Sequence, residues 1–220
     1  MTNFKACLFD LDGVIVDTAK YHFKAWKMLA NSLGIDFTEA ENEKLKGISR
    51  VESLQLILNW GGINKTEEEK FDLATKKNQW YVDLIANMDE TEILPGAKEL
   101  LQELKAANIK IALGSASKNS ETILRKINLF DAFEAIIDGN KVSKSKPNPQ
   151  VFLMGAEALG VKPESCIVFE DAEAGVEAAI NAGMRVVGIG ESHNLFKADL
   201  VVAGLNQINL NTLKSFFNQQ

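Results

Sequence analysis

Six short apolar runs punctuate the chain, at 5–9 (KACLF), 109–113 (IKIAL), 133–138 (FEAIID), 166–169 (CIVF), 185–189 (RVVGI) and 200–204 (LVVAG). Most are separated by stretches whose apolar residues recur every three or four positions, as in PGAKELLQELKAANI, where Leu100, Leu101 and Leu104 form one stripe. Apolar strands of this length that alternate with helices admit few architectures. They bury both faces and lie parallel, with helices packed above and below. The predicted fold class is therefore α/β, built on an open parallel sheet.

One stretch breaks the alternation. From Asp17 to about Glu90 the pattern is helical throughout, interrupted by Gly34, Gly47 and the Gly61-Gly62 pair. An all-helical insert after the first strand sits above that strand's C-terminal edge. The predicted organisation is a core of 1–16 and 92–220 with a helical domain of 17–91 inserted. A chain of 220 residues suffices for this and no more.

The charge balance excludes some partners. With 24 Lys and Arg against 30 Asp and Glu, the formal charge is −6, and no basic block offers a surface for nucleic acid or an anionic membrane. No run reaches membrane-span length, and the N-terminal apolar run is broken by Asp10 and Asp12, unlike a secretory leader. Cys7 and Cys166 each lie in a strand run and read as buried, reduced thiols, which suits the cytoplasm. No exposed heptad is evident, so a monomer is expected.

In an open parallel sheet the ligand crevice lies beyond the C-terminal strand ends. Here those ends carry Asp10 and Asp12, then Gly114 to Ser117 (GSAS), then Lys146 ahead of Pro147 and Pro149, then Glu170-Asp171. Taken singly, each has a plain reading: turn or cap for the acids, solvent for the lysine. Together they suit phosphoryl transfer. Carboxylates hold a hard cation such as Mg²⁺, Ser115 and Lys146 hold phosphoryl oxygens, with Ser117 also able to cap a helix starting near Lys118, and an aspartate serves as nucleophile beside a second that moves the proton.

DLDGVIVDT, SAS, SKP and EDAEAG, in this order around a helical insert, resemble the haloacid dehalogenase superfamily of phosphotransferases. The resemblance implies a Rossmann-like parallel sheet core with a helical cap. It implies Asp10 as nucleophile, Asp12 as general acid and base, and Mg²⁺ on Asp10, the Asp12 carbonyl and Asp171 with Glu170 helping. DTAKYHFKAW, LKGISRVESL, TKKNQWYV and GSASKN further resemble the sugar phosphomutases of that superfamily. These interconvert β-glucose 1-phosphate and glucose 6-phosphate through β-glucose 1,6-bisphosphate, which serves as intermediate and activator. Thr18 then falls at the hinge, with 92–95 as the return, and His22 near Asp12. Leu45, Lys46, Gly47 and Ile48 would line the sugar site, with Ser49 and Ala116 in the same binding segments. Arg50, Ser53, Lys77, Ser117 and Asn119 would grip the second phosphate. Two residues keep a second reading: His22 shares a face with Trp26, Leu29 and Leu33 as a packed histidine would, and Lys77 lies in a charged helix that suits solvent. A sugar-phosphate phosphatase on the same scaffold is the alternative activity.

Overall fold

The computed structural model describes residues 4–218. The chain runs β1 (Ala6–Phe9), α1 (Ala19–Ser32), α2 (Glu39–Glu43), α3 (Arg50–Trp60) and α4 (Glu67–Leu84). It continues through α5 (Ala97–Ala106), β2 (Lys110–Gly114), α6 (Ser120–Lys126), β3 (Ala135–Ile137), α7 (Gln150–Leu159) and β4 (Cys166–Glu170). It ends with α8 (Glu173–Asn181), β5 (Arg185–Ile189), β6 (Leu200–Val202) and α9 (Leu210–Asn218).

The strands pair in parallel in the order β3-β2-β1-β4-β5-β6. Ala6 on β1 faces Lys110 on one side and Cys166 on the other, so the order reverses at β1 and the crevice opens at its C-terminal end. Side chains alternate between faces with the two-residue period of a strand. Cys7, Phe9, Ile111, Leu113, Ile167 and Phe169 face one layer with α5, α6 and α9. Ala6, Leu8, Ala112 and Val168 face the other, with α7 and α8. Phe9 and Phe169 stack at 4.5 Å across the central pair.

The insert has its own apolar centre, formed by Trp26, Leu29, Phe37, Leu54, Ile57 and Leu58. Helices α2, α3 and α4 start at reciprocal capping boxes, Thr38 with Glu41, Ser49 with Glu52 and Thr66 with Glu69, which satisfy backbone N–H groups left over at each start. The two crossings between insert and sheet lie side by side. Asp17 N–H donates to Glu92 O at 3.1 Å and Leu94 N–H to Ile15 O at 3.0 Å. The Glu92 carboxylate also accepts from Tyr21 at 2.6 Å and Lys20 at 2.5 Å, tying the first turn of α1 to the return crossing.

Three details depart from the sequence expectation. The run at 133–138 yields only a three-residue strand, because Phe133 ends a tight turn and sends its ring edge-on to Phe9. Ser117 does not cap a helix starting near Lys118. Its Oγ accepts from Asn119 N–H, and α6 starts at Ser120. Helix α9 was not anticipated, since nine residues carry a short periodic signal and Leu213 and Phe216 declare themselves only by burial under the sheet.

Candidate active site

The strand ends converge as their residue types suggested. Asp10 follows β1 and its N–H donates to Phe169 O at 3.0 Å, which fixes it between the two central strands. Its Oδ2 accepts from Asp12 N–H at 2.9 Å, and its Oδ1 accepts from Lys146 Nζ at 2.5 Å. Lys146 also donates to Glu170 Oε1, and its side chain is 1% exposed. Glu170 Oε2 accepts from Ala172 N–H at 3.0 Å. Each Glu170 oxygen thus accepts one hydrogen bond and keeps a lone pair, so the residue anchors Lys146 beside Asp171. Ser115 N–H donates to Ile137 O, and its Oγ accepts from Ser117 N–H at 3.1 Å. The hydroxyl proton remains free to donate.

Two glycines make this convergence possible. Gly13 has φ +79°, and a Cβ there would fall 2.2 Å from Asp171 Oδ2. A Cβ on Gly175, in α8, would fall 1.8 Å from Glu170 Oε1. Gly175→Ala is expected to displace the Glu170 carboxylate, release Lys146 and cost about 2–4 kcal/mol, by leaving buried charges unpaired. Urea unfolding and turnover measured on the variant both report it, and a variant as stable as the parent would disprove the packing.

The insert supplies the opposite wall of a cleft of about 720 Å³. Thr18 is buried, and its Oγ1 donates to Asp12 Oδ1 instead of capping α1. His22 Nδ1 lies 3.0 Å from Lys77 Nζ, with its ring 4.1 Å from that of Tyr81. Lys77 is 2% exposed, against the solvated reading of its charged helix, and its ammonium lies over Trp26 at 4.4 Å and Tyr81 at 4.8 Å. Arg50 opens α3 and lines the same wall with Ser49 and Ser53. Leu45, Lys46, Gly47 and Ile48 line the cleft, Lys46 bonding Glu43 at 2.8 Å and reaching Asp171 at 3.7 Å. Ala116, Ser117 and Asn119 line it from the core, and Asn119 Nδ2 donates to Asn78 Oδ1 at 3.0 Å. Sequence reasoning missed Asn78 and Tyr81, although both lie in the quoted TKKNQWYV stretch. Only the packing of α4 against α1 and α3 turns them inward.

Charge here is unbalanced on both walls. On the core side, burial and then the neighbouring Asp10 push Asp12 up to about 8. Burial pushes Glu170 up to about 7 despite Lys146, and burial with Glu170 and Asp10 holds Asp171 well above the carboxylate range. Burial alone would lower Lys146, but Asp10 and Glu170 hold it above its ordinary value. On the cap side, burial and then Arg50 hold Lys77 well below the ordinary lysine value, and burial with Lys77 keeps His22 neutral. Among the described residues neither Arg50 nor Lys77 makes an ion pair. The core wall carries more carboxyl groups than cations, and on the cap wall Arg50 and Lys77 have no ion-pair partner among the described residues.

The core-side donors fit a divalent cation. They are oxygens only, they outnumber the cations beside them, and the Asp171 carboxylate rests in the space Gly13 leaves open. In metal-free protein, Asp12 and Glu170 keep protons in the fold that the unfolded chain gives up near 3.8 and 4.5. Folding stability from these groups is thus present below those values and lost as pH rises through about 7 and 8. Urea midpoints in chelator are expected to fall across that window, and a divalent cation to restore them at its upper end. A midpoint that climbs with pH would contradict the charge excess.

Comparison with known proteins agrees with this geometry. Residues 4–183 match the model of the haloacid dehalogenase-like hydrolases. The chain is 46% identical over 217 residues to a β-phosphoglucomutase of Bacillus subtilis, covering 98% of this chain and 96% of that one. It is 33% identical over 204 residues to a phosphorylated carbohydrates phosphatase of Thermotoga maritima, with 91% of each covered. A crystal structure of β-phosphoglucomutase from Clostridium difficile superposes with a TM-score of 0.95 at 46% identity, over 98% of this chain and 97% of that one. With its nucleophile, lysine and acids at four neighbouring strand ends and its sequence matched nearly end to end, the chain belongs to the haloacid dehalogenase-like hydrolase family.

Proposed function

We infer that the protein is a phosphomutase that interconverts β-glucose 1-phosphate and glucose 6-phosphate through β-glucose 1,6-bisphosphate and a phosphorylated Asp10. The observation that carries this reading is the second wall. Arg50 and Lys77 repel one another without a carboxylate partner, across the cleft from Lys146. A half-buried guanidinium beside a buried lysine, neither with an anionic partner among the described residues, suits an anion, and a mutase must hold a bisphosphate at both ends, whereas a phosphatase needs one site only. The likeness to the Bacillus subtilis β-phosphoglucomutase supports glucose as the sugar.

In one half-reaction an Asp10 oxygen bonds to phosphorus as the C1 oxygen leaves, and Asp12 gives that oxygen its proton. Burial and Asp10 keep Asp12 protonated at neutral pH, and the Thr18 hydroxyl on Oδ1 leaves Oδ2 to carry the proton. In the other half-reaction the Asp12 carboxylate takes the proton of the sugar 6-hydroxyl as that oxygen attacks phosphorylated Asp10. Ser115 and Lys146 hold the phosphoryl oxygens, while Arg50, Ser53, Lys77, Ser117 and Asn119 hold the far phosphate. Mg²⁺ would be held by Asp10, the Asp12 carbonyl and Asp171 with Glu170 helping, and when bound it supplies the charge that lets an anionic nucleophile meet an anionic phosphoryl group. The cap of 17–91, hinged at Thr18 and 92–95, closes on the core of 1–16 and 92–220 and keeps water from the acyl phosphate. Two free, buried cysteines support a reducing compartment, and the reading takes the protein as a cytoplasmic monomer.

The deciding assay mixes protein, Mg²⁺, β-glucose 1-phosphate and a trace of β-glucose 1,6-bisphosphate, and follows glucose 6-phosphate and free phosphate together. Glucose 6-phosphate with little free phosphate is expected, and free phosphate in excess would make the protein a phosphatase. Arg50→Ala should lower glucose 6-phosphate formation about 100-fold or more, as loss of a charge-assisted phosphate contact does, while acetyl phosphate hydrolysis persists. Equal losses in both reactions would remove Arg50 from the far phosphate site.

A further inference from the structure

Asn42 lies in the last turn of α2 on the cap wall of the cleft and is 9% exposed. Its backbone is fixed on both sides, since its N–H donates to Thr38 O at 3.1 Å and its carbonyl accepts from Leu45 N–H at 3.0 Å. Its carboxamide has no hydrogen-bond partner among the described residues. Neighbouring polar groups of the cleft are engaged: Thr18 with Asp12, His22 with Lys77, Ser49 with Glu52, and Asn78 with Asn119. The carboxamide lies at the cleft surface with neither its donor nor its acceptor engaged by the described residues, so both are open to a bound ligand.

The chemistry of the group narrows what it recognises. A carboxamide is neutral, so it adds nothing to the grip on phosphate that Arg50, Lys77 and Lys146 already provide. It presents a donor and an acceptor side by side, which matches two adjacent hydroxyls, one accepting and one donating. Three residues further on, Leu45 is buried at the same wall and offers an apolar surface to a ring. We propose that Asn42 is a specificity residue of the cap that reads a pair of adjacent ring hydroxyls on the sugar held between the two phosphate sites. The proposal rests on the mutase reading and adds to it the group that selects the sugar's hydroxyl pattern.

The test compares the parent protein with Asn42→Leu and Asn42→Ala on β-glucose 1-phosphate and on its 2-deoxy, 3-deoxy and 4-deoxy analogues, with urea unfolding of each free protein. Asn42→Leu should lower kcat/KM for β-glucose 1-phosphate by about 10- to 100-fold, the effect of one or two lost hydrogen bonds. For the deoxy analogue that lacks the partner hydroxyl, the parent should already show that loss and the variants should add none. The free Asn42→Leu protein should unfold at an equal or higher urea midpoint. The proposal is overturned if the variants lose the same factor on every sugar, if they lose none, or if the midpoint of Asn42→Leu falls. Failure of the parent to form glucose 6-phosphate would overturn the mutase reading and this proposal with it, whereas failure of Asn42 alone leaves that reading standing.

Discussion

Asp10→Asn is expected to lower mutase turnover by roughly four to six orders of magnitude, the scale of losing a catalytic nucleophile. An amide cannot be phosphorylated by displacement at phosphorus. The geometry adds a second cause. Asp10 accepts on both oxygens, from Asp12 N–H on Oδ2 and from Lys146 on Oδ1. An asparagine offers one acceptor, so either its NH₂ meets the Asp12 N–H or it meets the ammonium. One of the two alignments that place Asp12 beside the nucleophile is then lost. Stability should change much less than activity, because the substitution removes one anion from a group of carboxyls already short of positive charge. Steady-state turnover with intact-protein mass after acetyl phosphate treatment checks both points. A variant that turns over at the parent rate, or that gains a phosphoryl mass at position 10, would rule out Asp10 as the nucleophile.

Lys146→Met is the second large effect, and it falls on folding as well as on catalysis. Lys146 is held 1% exposed between Asp10 and Glu170, and its removal leaves two buried carboxylates without their shared cation. Breaking such a bridge from one side costs about 3–5 kcal/mol, far more than the same loss at a surface. The pH dependence gives the change a signature. Asp10 and Glu170 raise Lys146 above its ordinary 10.5, so its stabilising contribution is complete below that value and is lost only as pH rises through the folded value. In the variant the carboxyls must take up protons instead. The stability gap from the parent should therefore be widest at alkaline pH and narrow as pH falls, because without Lys146 to hold it down Glu170 takes up its proton above the parent's value of about 7. Urea midpoints of both proteins across pH measure this. A gap independent of pH would mean that lost packing over Phe152, 4.9 Å from the ammonium, outweighs lost charge.

Much of this was legible in the chain because it rests on local rules. The strand runs needed only their period and length, and the acids, serine and lysine stood out because they follow those runs at the edge where a parallel sheet binds ligands. Lys77 was ambiguous for the opposite reason. Its helix is charged on several sides, and nothing local distinguishes a lysine facing solvent from one turned onto Trp26 and His22. Glu170 stood out beside Asp171 at a strand end, but its bonds to Lys146 and Ala172, partners 24 and two positions away, are set by the fold.

The layers, the run of helices after the first strand and the chemical inventory of the cleft can be read along the chain, since periodicity and residue type are properties of a segment. Which of those groups are charged, engaged or unpartnered depends on how the chain folds back on itself. Burial and Coulomb coupling depend on what lies across the space from a side chain. That is why Asp12 carries a proton, why Arg50 and Lys77 face one another without an anion, and why the carboxamide of Asn42 is left without a partner.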